Sequence, residues 1–79
     1  MRDLVEFIAR ALVADPDAVR VDEVEDGGET VLEVRVAPDD LGRVIGRSGR
    51  TASALRTVVG ALAGNNNVRV DIVDTDRVR

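Results

Sequence analysis

Two runs of alternating apolar and polar residues flank Asp26-Gly27-Gly28-Glu29, and that arrangement constrains the chain more than any other feature. Upstream, Ala18 to Glu25 sends Val19 and Val21 one way and Arg20 and Asp22 the other. The alternation falters at Glu23-Val24, which predicts a bulge or an early strand end. Downstream, Thr30 to Ala37 places Leu32, Val34 and Val36 inward and Glu33 and Arg35 outward. The paired glycines supply the backbone freedom of a tight hairpin, so the two runs pair antiparallel. A third run, Val68 to Val73, alternates Val70 and Ile72 against Arg69 and Asp71, but two helical segments separate it from the second. A strand reached through a helical crossover lies parallel to its predecessor. The sheet is therefore three-stranded and mixed.

The helical segments are read from apolar residues recurring three and four apart. Asp3 to Ala14 puts Leu4, Ile8, Ala11 and Leu12 on one face with Phe7 beside them, and Glu6 and Arg10 outside. Asp15-Pro16-Asp17 stops it, because the residue before a proline is pushed out of the helical region. Pro38-Asp39-Asp40 opens a second, short helix, with an aspartate available to cap its free N–H groups. Leu41, Val44 and Ile45 lie on one side of it, and it ends at Gly46. A longer helix covers Arg50 to Ala63, its buried stripe being Ala52, Leu55, Val58, Val59 and Leu62. Gly64 and Asn65 to Asn67 terminate it. The order is αββααβ, an α+β fold with three helices on one face of the sheet. Residues 1–79 make a single domain, with 74–79 a charged, frayed tail. Phe7 is the only aromatic residue, so the core is built from Val, Leu, Ile and Ala.

Several function classes drop out. The chain has no cysteine and no histidine, which removes disulfides, Cys- or His-based metal sites and imidazole base catalysis. No cofactor is implied. The N-terminus has no basic region followed by a long apolar run, and no apolar stretch is long enough to span a bilayer. The expectation is a soluble cytoplasmic protein that does not contact the membrane. The formal charge of −4 argues against a nucleic-acid partner only until its distribution is considered. Met1 to Glu29 holds nine acids and three arginines, a net of −6, whereas Thr30 to Arg79 holds six acids and eight arginines, a net of +2. Arg43, Arg47, Arg50 and Arg56 fall within fourteen residues of one another.

Those arginines surround the stretch with the most chemistry, Arg43-Val44-Ile45-Gly46-Arg47-Ser48-Gly49-Arg50. Two glycines three apart sit between two helices. Glycine lets a backbone approach a ligand closely and adopt conformations a Cβ would block. The helix that follows presents its N-terminal N–H groups and the positive end of its dipole to the turn, a setting that attracts phosphate. Arg47 adds charge at the tip, Arg43 and Arg50 flank it, and Ser48 offers a hydroxyl donor. A P-loop is ruled out because its Lys and Ser/Thr do not follow the glycines. With no general base or carboxylate pair nearby, the expectation is a protein that is not an enzyme.

Val44-Ile45-Gly46-Arg47-Ser48-Gly49-Arg50 resembles the Val-Ile-Gly-x-x-Gly signature of KH domains, and the helix-first order is that of the type II, bacterial arrangement. Leu4 to Val13 and Arg56-Thr57-Val58-Val59 are similar to the small stand-alone bacterial RNA-binding proteins of the KhpA family. The resemblance implies a groove that holds about four single-stranded nucleotides. It implies that Gly46, Arg47, Ser48 and Gly49 clamp the backbone, that Arg43 and Arg50 assist, and that Val44 and Ile45 pack on bases or sugars. It also implies single-stranded RNA as ligand, with DNA open. The expected partner is a second copy or a larger KH protein of the KhpB/Jag type, and the expected role is RNA chaperoning or regulation of envelope growth and division. Relatives often carry Lys or Arg around Ser53 and Gly60, which this chain lacks. No aromatic residue stands near the turn to stack on bases. Weak, poorly selective binding follows. The reading from a different class is a KH-fold dimerisation adapter acting through a partner protein, which the net acidity favours.

Overall fold

The computed structural model describes residues 1–64 and 66–74. Helix α1 (Arg2–Leu12) leads through a short turn to strands β1 (Arg20–Asp26) and β2 (Glu29–Arg35). Helix α2 (Leu41–Ile45), a 3₁₀ turn at Arg47–Gly49, helix α3 (Arg50–Ala63) and strand β3 (Val68–Ile72) follow. The sheet order is β1-β2-β3, with the first pair antiparallel and the second parallel. At the hairpin Gly27 and Gly28 both take positive φ, 60° and 84°, the combination a two-residue type I′ turn requires.

The bulge expected at Glu23-Val24 is absent. Register runs unbroken from Arg20 opposite Arg35 to Asp26 opposite Glu29. The alternation of direction persists while the alternation of polarity fails. Val24 lies opposite Val31 on the open sheet face, and Glu23 and Glu25 take the helix-bearing side where they are exposed. Around the two valines the open face is charged, with Arg35 bridging Asp22 and Glu33 and Arg69 meeting Glu29.

All three helices contribute to one core on the other face. Val5 and Ala9 of α1, Leu41 and Val44 of α2, and Leu55 and Val59 of α3 meet Val21, Leu32, Val34 and Val70 of the sheet. Burying an aliphatic side chain of this size contributes roughly 1.5–3 kcal/mol, and the core contains no aromatic ring. Two inward stripes differ from expectation. In α1 the buried pair is Val5 and Ala9, while Leu4, Ala11 and Leu12 are exposed and Ile8 half-buried. In α3 the buried residues are Ala52, Leu55, Val59 and Ala63, while Val58 and Leu62 are 45% and 59% exposed. Each helix carries more apolar surface than one sheet face covers. The expected tail, 74–79, lies outside the described residues except for Asp74, as does Asn65 among the helix-ending asparagines.

Candidate nucleic-acid interface

Helix α2 ends at Gly46, which takes φ 80° and ψ 169°. A Cβ on Gly46 would meet the Thr51 side chain and come within 2.7 Å of the Thr51 backbone nitrogen, so both conformation and space demand glycine. Ser48 and Gly49 then take successive left-handed conformations, φ 56° and 74°. Ser48 is the one non-glycine residue with positive φ among the described residues, a local strain of the kind that collects at binding sites. The Gly49 N–H donates to the Gly46 carbonyl at 3.1 Å and the Arg50 N–H to the Arg47 carbonyl. The N–H groups of Arg47 and Ser48 come too early in the turn to find a partner within it, and they are what the turn leaves for a ligand. Helix α3 starts at Arg50, so its positive dipole end opens on the same spot.

The side chains predicted to form the site divide into three groups. Arg47, Ser48 and Arg50 are exposed around the turn, and Ile45, 39% exposed, stands beside it. Val44 does not join them: it is 2% exposed, packed in the core, and has no surface to offer a base or sugar. It fixes α2 from below. Arg43 is exposed but tied, its Nε 3.0 Å from an Asp40 carboxylate oxygen.

Asp40 itself departs from expectation. It makes no capping bond to α2. Its two carboxylate oxygens instead accept the backbone N–H groups of Ala14 and Asp15, each at 3.1 Å, just past the end of α1. Those backbone bonds, foremost the one from Ala14, hold the carboxyl below the usual carboxylate range, with Arg43 adding to the effect and burial opposing it. Among the described residues Asp40 is the one buried charged side chain, 3% exposed. Its spacing of twenty-six and twenty-five residues from its backbone partners left no signal in the sequence.

Electrostatic partners separate the arginines further. Among the described residues, ion pairs occupy Arg2, Arg10, Arg35, Arg43 and Arg69. Arg47, Arg50 and Arg56 stand without a carboxylate, as does Arg20 on the distant β1 edge. In a chain with fifteen acids and eleven arginines, three guanidiniums without a carboxylate partner, gathered on one turn and the helix it opens, leave a locally cationic surface. Arg56 was absent from the predicted site; its Nε–H donates to the Val70 carbonyl at 3.1 Å, tying α3 to β3.

The opposite flank of α3 has the reverse character. Ile8 and Leu12 of α1 and Thr51, Ala54, Leu55 and Val58 of α3 line a shallow recess of about 210 Å³. Elsewhere on α1, beside Asp3, Glu6 and Arg10, Phe7 is 71% exposed. The signal was present: between Leu4 and Val13 only Glu6 and Arg10 are polar, so α1 is too apolar to have a single buried face.

A three-stranded mixed sheet under three helices, with a Gly-x-x-Gly turn joining the second helix to the third, defines a type II KH domain. The family model described as KhpA/KhpB, KH domain matches residues 2–74, and the chain belongs to that family. Among curated proteins it is 54% identical over 79 residues to the RNA-binding protein KhpA of Streptomyces coelicolor, covering 100% of this chain and 99% of the relative. It is 53% identical over 75 residues to the RNA-binding protein KhpA of Mycobacterium tuberculosis, covering 95% and 92%. The protein of the same name in Leifsonia xyli is 60% identical over 67 residues, covering 85% and 88%. No solved structure matches the chain. No helix among the described residues is long and apolar enough to cross a membrane.

Proposed function

We propose that this protein binds single-stranded RNA without catalysis, holding the strand's phosphates on the Gly46–Gly49 turn. One observation carries the reading: an exposed turn with two uncommitted N–H groups, at a helix N-terminus, ringed by arginines that lack carboxylate partners. The N–H groups of Arg47 and Ser48 fix a phosphate, Arg47 and Arg50 supply charge, and Ile45 offers apolar surface to a sugar or base. Gly46 shapes the turn and Gly49 keeps it open. Arg43 and Val44 act from behind, by holding α2. The curated relatives are named RNA-binding proteins, which favours RNA over DNA. With no aromatic residue at the turn, affinity comes mainly from phosphates and falls with salt. An RNA chaperone or regulator of envelope growth and division, in the cytoplasm, is the cellular form this reading takes.

The test is a fluorescence-anisotropy titration of labelled RNA and DNA 10-mers with wild type and Gly49→Asp at two salt concentrations. Nothing lies within 4 Å of where a Gly49 side chain would begin. Aspartate tolerates left-handed backbone better than most residues and suits a helix N-terminus. The variant should therefore fold and lose binding, because its carboxylate takes the phosphate's place. Unchanged binding by the folded variant removes the turn from the site.

The exposed apolar flank favours a second reading that is compatible with the first. Leu12, Val58 and Leu62 form a surface for self-association, or for pairing with a larger KH protein of the KhpB/Jag type. Light scattering on Val58→Glu tests it; a wild type that stays monomeric at high concentration, alone and with such a partner, refutes it.

A further inference from the structure

We infer that the Ser48 hydroxyl accepts a phosphoryl group from a protein kinase, and that the phosphate it then carries closes the Gly46–Gly49 turn to RNA from within. The inference rests on the reading of that turn as the RNA clamp and adds its regulation.

The argument begins with the hydroxyls. Among the described residues they belong to Thr30, Ser48, Thr51, Ser53 and Thr57. Thr30 lies in β2 and donates to Glu25, and Thr57 lies in α3 and donates to the Ser53 carbonyl. Thr51 is half-buried against Gly46, and Ser53 sits in the regular backbone of α3. Ser48 alone is exposed outside an α-helix or strand, and its hydroxyl meets no partner among the described residues. Gly46 and Gly49 bound it on either side. A kinase must draw the acceptor's backbone into its own groove, and flanking glycines let a surface turn deform.

Charge separates Ser48 from the other hydroxyls as well. No acidic residue occurs from Leu41 to Val70, a span holding Arg43, Arg47, Arg50, Arg56 and Arg69. Arginine stands one residue before Ser48, five before it and two after it. A kinase with carboxylates along its substrate groove accepts such a segment and is repelled by the acidic strands around Thr30. The donor is a nucleoside triphosphate. The Ser48 oxygen attacks the γ-phosphorus, the hydroxyl proton passes to the kinase's base, the bond to the β,γ-bridging oxygen breaks and the diphosphate leaves.

The product is its own ligand. Phosphoserine carries about −1.5 to −2 charge near neutrality and three strong acceptor oxygens. Only Cβ and Oγ separate this phosphate from the Ser48 backbone, so it stays at the turn. Arg47 and Arg50, which no carboxylate engages, stand on either side of it to pair with it. An RNA phosphate must then displace a group tethered at an effective concentration of about millimolar or above. The exclusion is reciprocal: a strand held on the turn covers the Ser48 hydroxyl and blocks transfer.

The test incubates wild type and Ser48→Ala with ATP, magnesium and a serine kinase of basic-site preference, with and without a saturating uridine 10-mer, and locates phosphate by mass spectrometry. Phosphate is expected on Ser48 of wild type, none on Ser48→Ala, and about tenfold slower transfer with RNA bound. Protein with phosphoserine installed at position 48 by codon reassignment should keep its circular dichroism and bind the 10-mer at least about 20-fold more weakly than wild type. By phosphorus NMR its phosphate should titrate below the ordinary second pKa of about 6, and return to it when Arg47→Gln and Arg50→Gln are combined. Transfer to Ser53 or Thr57, no transfer, or a folded phosphoserine protein that binds RNA as wild type does overturns the role of Ser48 and leaves the clamp standing. An unshifted phosphate overturns its capture by the turn. No RNA binding by the unmodified protein removes the clamp and the regulation with it.

Discussion

The two flanks of helix α3 leave the same core and arrive at opposite surfaces. Toward the turn and the β3 edge stand Gly49, Ser53 and Arg56, with small side chains and a cation that lacks a carboxylate. Toward α1 stand Ala54, Val58 and Leu62, apolar and uncovered. Folding alone selects neither arrangement: free arginines in an acidic chain forgo ion pairs, and exposed aliphatics forgo burial. A 79-residue chain with so small a core carries both, the pattern expected where each flank meets a partner of its own.

The sharpest way to break that division is Gly49→Asp. Binding of single-stranded RNA should fall by more than about 50-fold, since a carboxylate replaces the phosphate and repels its neighbours. Self-association should be unaffected. If the variant lost both properties together with its helical circular dichroism, the substitution would have damaged the fold, and the flanks would not be separable at this residue.

The reciprocal change is Val58→Glu, which places a charge in the apolar recess. Loss of self-association is expected, measured by light scattering at high concentration. Affinity for a short oligonucleotide occupying one site should stay within about twofold. Binding of a long RNA that spans two copies should weaken about tenfold or more, the avidity that linkage supplies. A wild-type dimer that persists in Val58→Glu and also in Leu12→Glu places the interface elsewhere.

Much of this contrast was legible in the sequence, but unevenly. The strand order, the hairpin and the Gly-x-x-Gly turn follow from local rules: period-two alternation, paired glycines, and helix signals on either side of Gly46. The direction of helix faces was less legible. In α1, eight of the ten residues from Leu4 to Val13 are apolar, so periodicity could not decide whether Val5 and Ala9 or Leu4 and Ile8 face the sheet. Only the packing of α1 on β1 and β2 decides. In α3, Val58 beside buried Val59 posed the same ambiguity. Asp40 and Arg56 were illegible for another reason. Their roles depend on backbone groups of Ala14, Asp15 and Val70, far away in the chain, which every residue type presents alike.

Asp40 supports both flanks at once, because it joins the end of α1 to the start of α2. Asp40→Asn offers one acceptor to two N–H donors and leaves Arg43 without its counter-charge. At neutral pH the melting temperature should fall by about 5–10 °C, the range a small domain shows for a lost buried contact. The pH dependence has a definite sign. The folded-state carboxyl titrates below its ordinary value, so its contribution is complete above the ordinary carboxylate range and is lost as pH falls through the folded value. The gap between wild type and Asp40→Asn should accordingly be widest near neutrality and close on acidification. A gap that is flat with pH means that the carboxylate's charge is irrelevant to the clamp.

The finest distinction lies between two arginines that the sequence treats as equivalent. Arg47 has no carboxylate partner among the described residues, whereas Arg43 is held by Asp40 at 3.0 Å. A free guanidinium meets a phosphate without first giving up a partner, so its removal should cost a full contact. Arg47→Gln is expected to weaken RNA binding about three- to tenfold and to lower the slope of log K against log salt by about 0.7, the value for one phosphate on a single strand. Arg43→Gln should change affinity less than about twofold, leave the slope nearly unaltered, and lower the melting temperature by a few degrees. Equal slopes lost at both positions would show that Asp40 releases Arg43 to the strand. The ion pair would then act as a gate on the cationic flank, and the boundary between clamp and scaffold would move one turn back into α2.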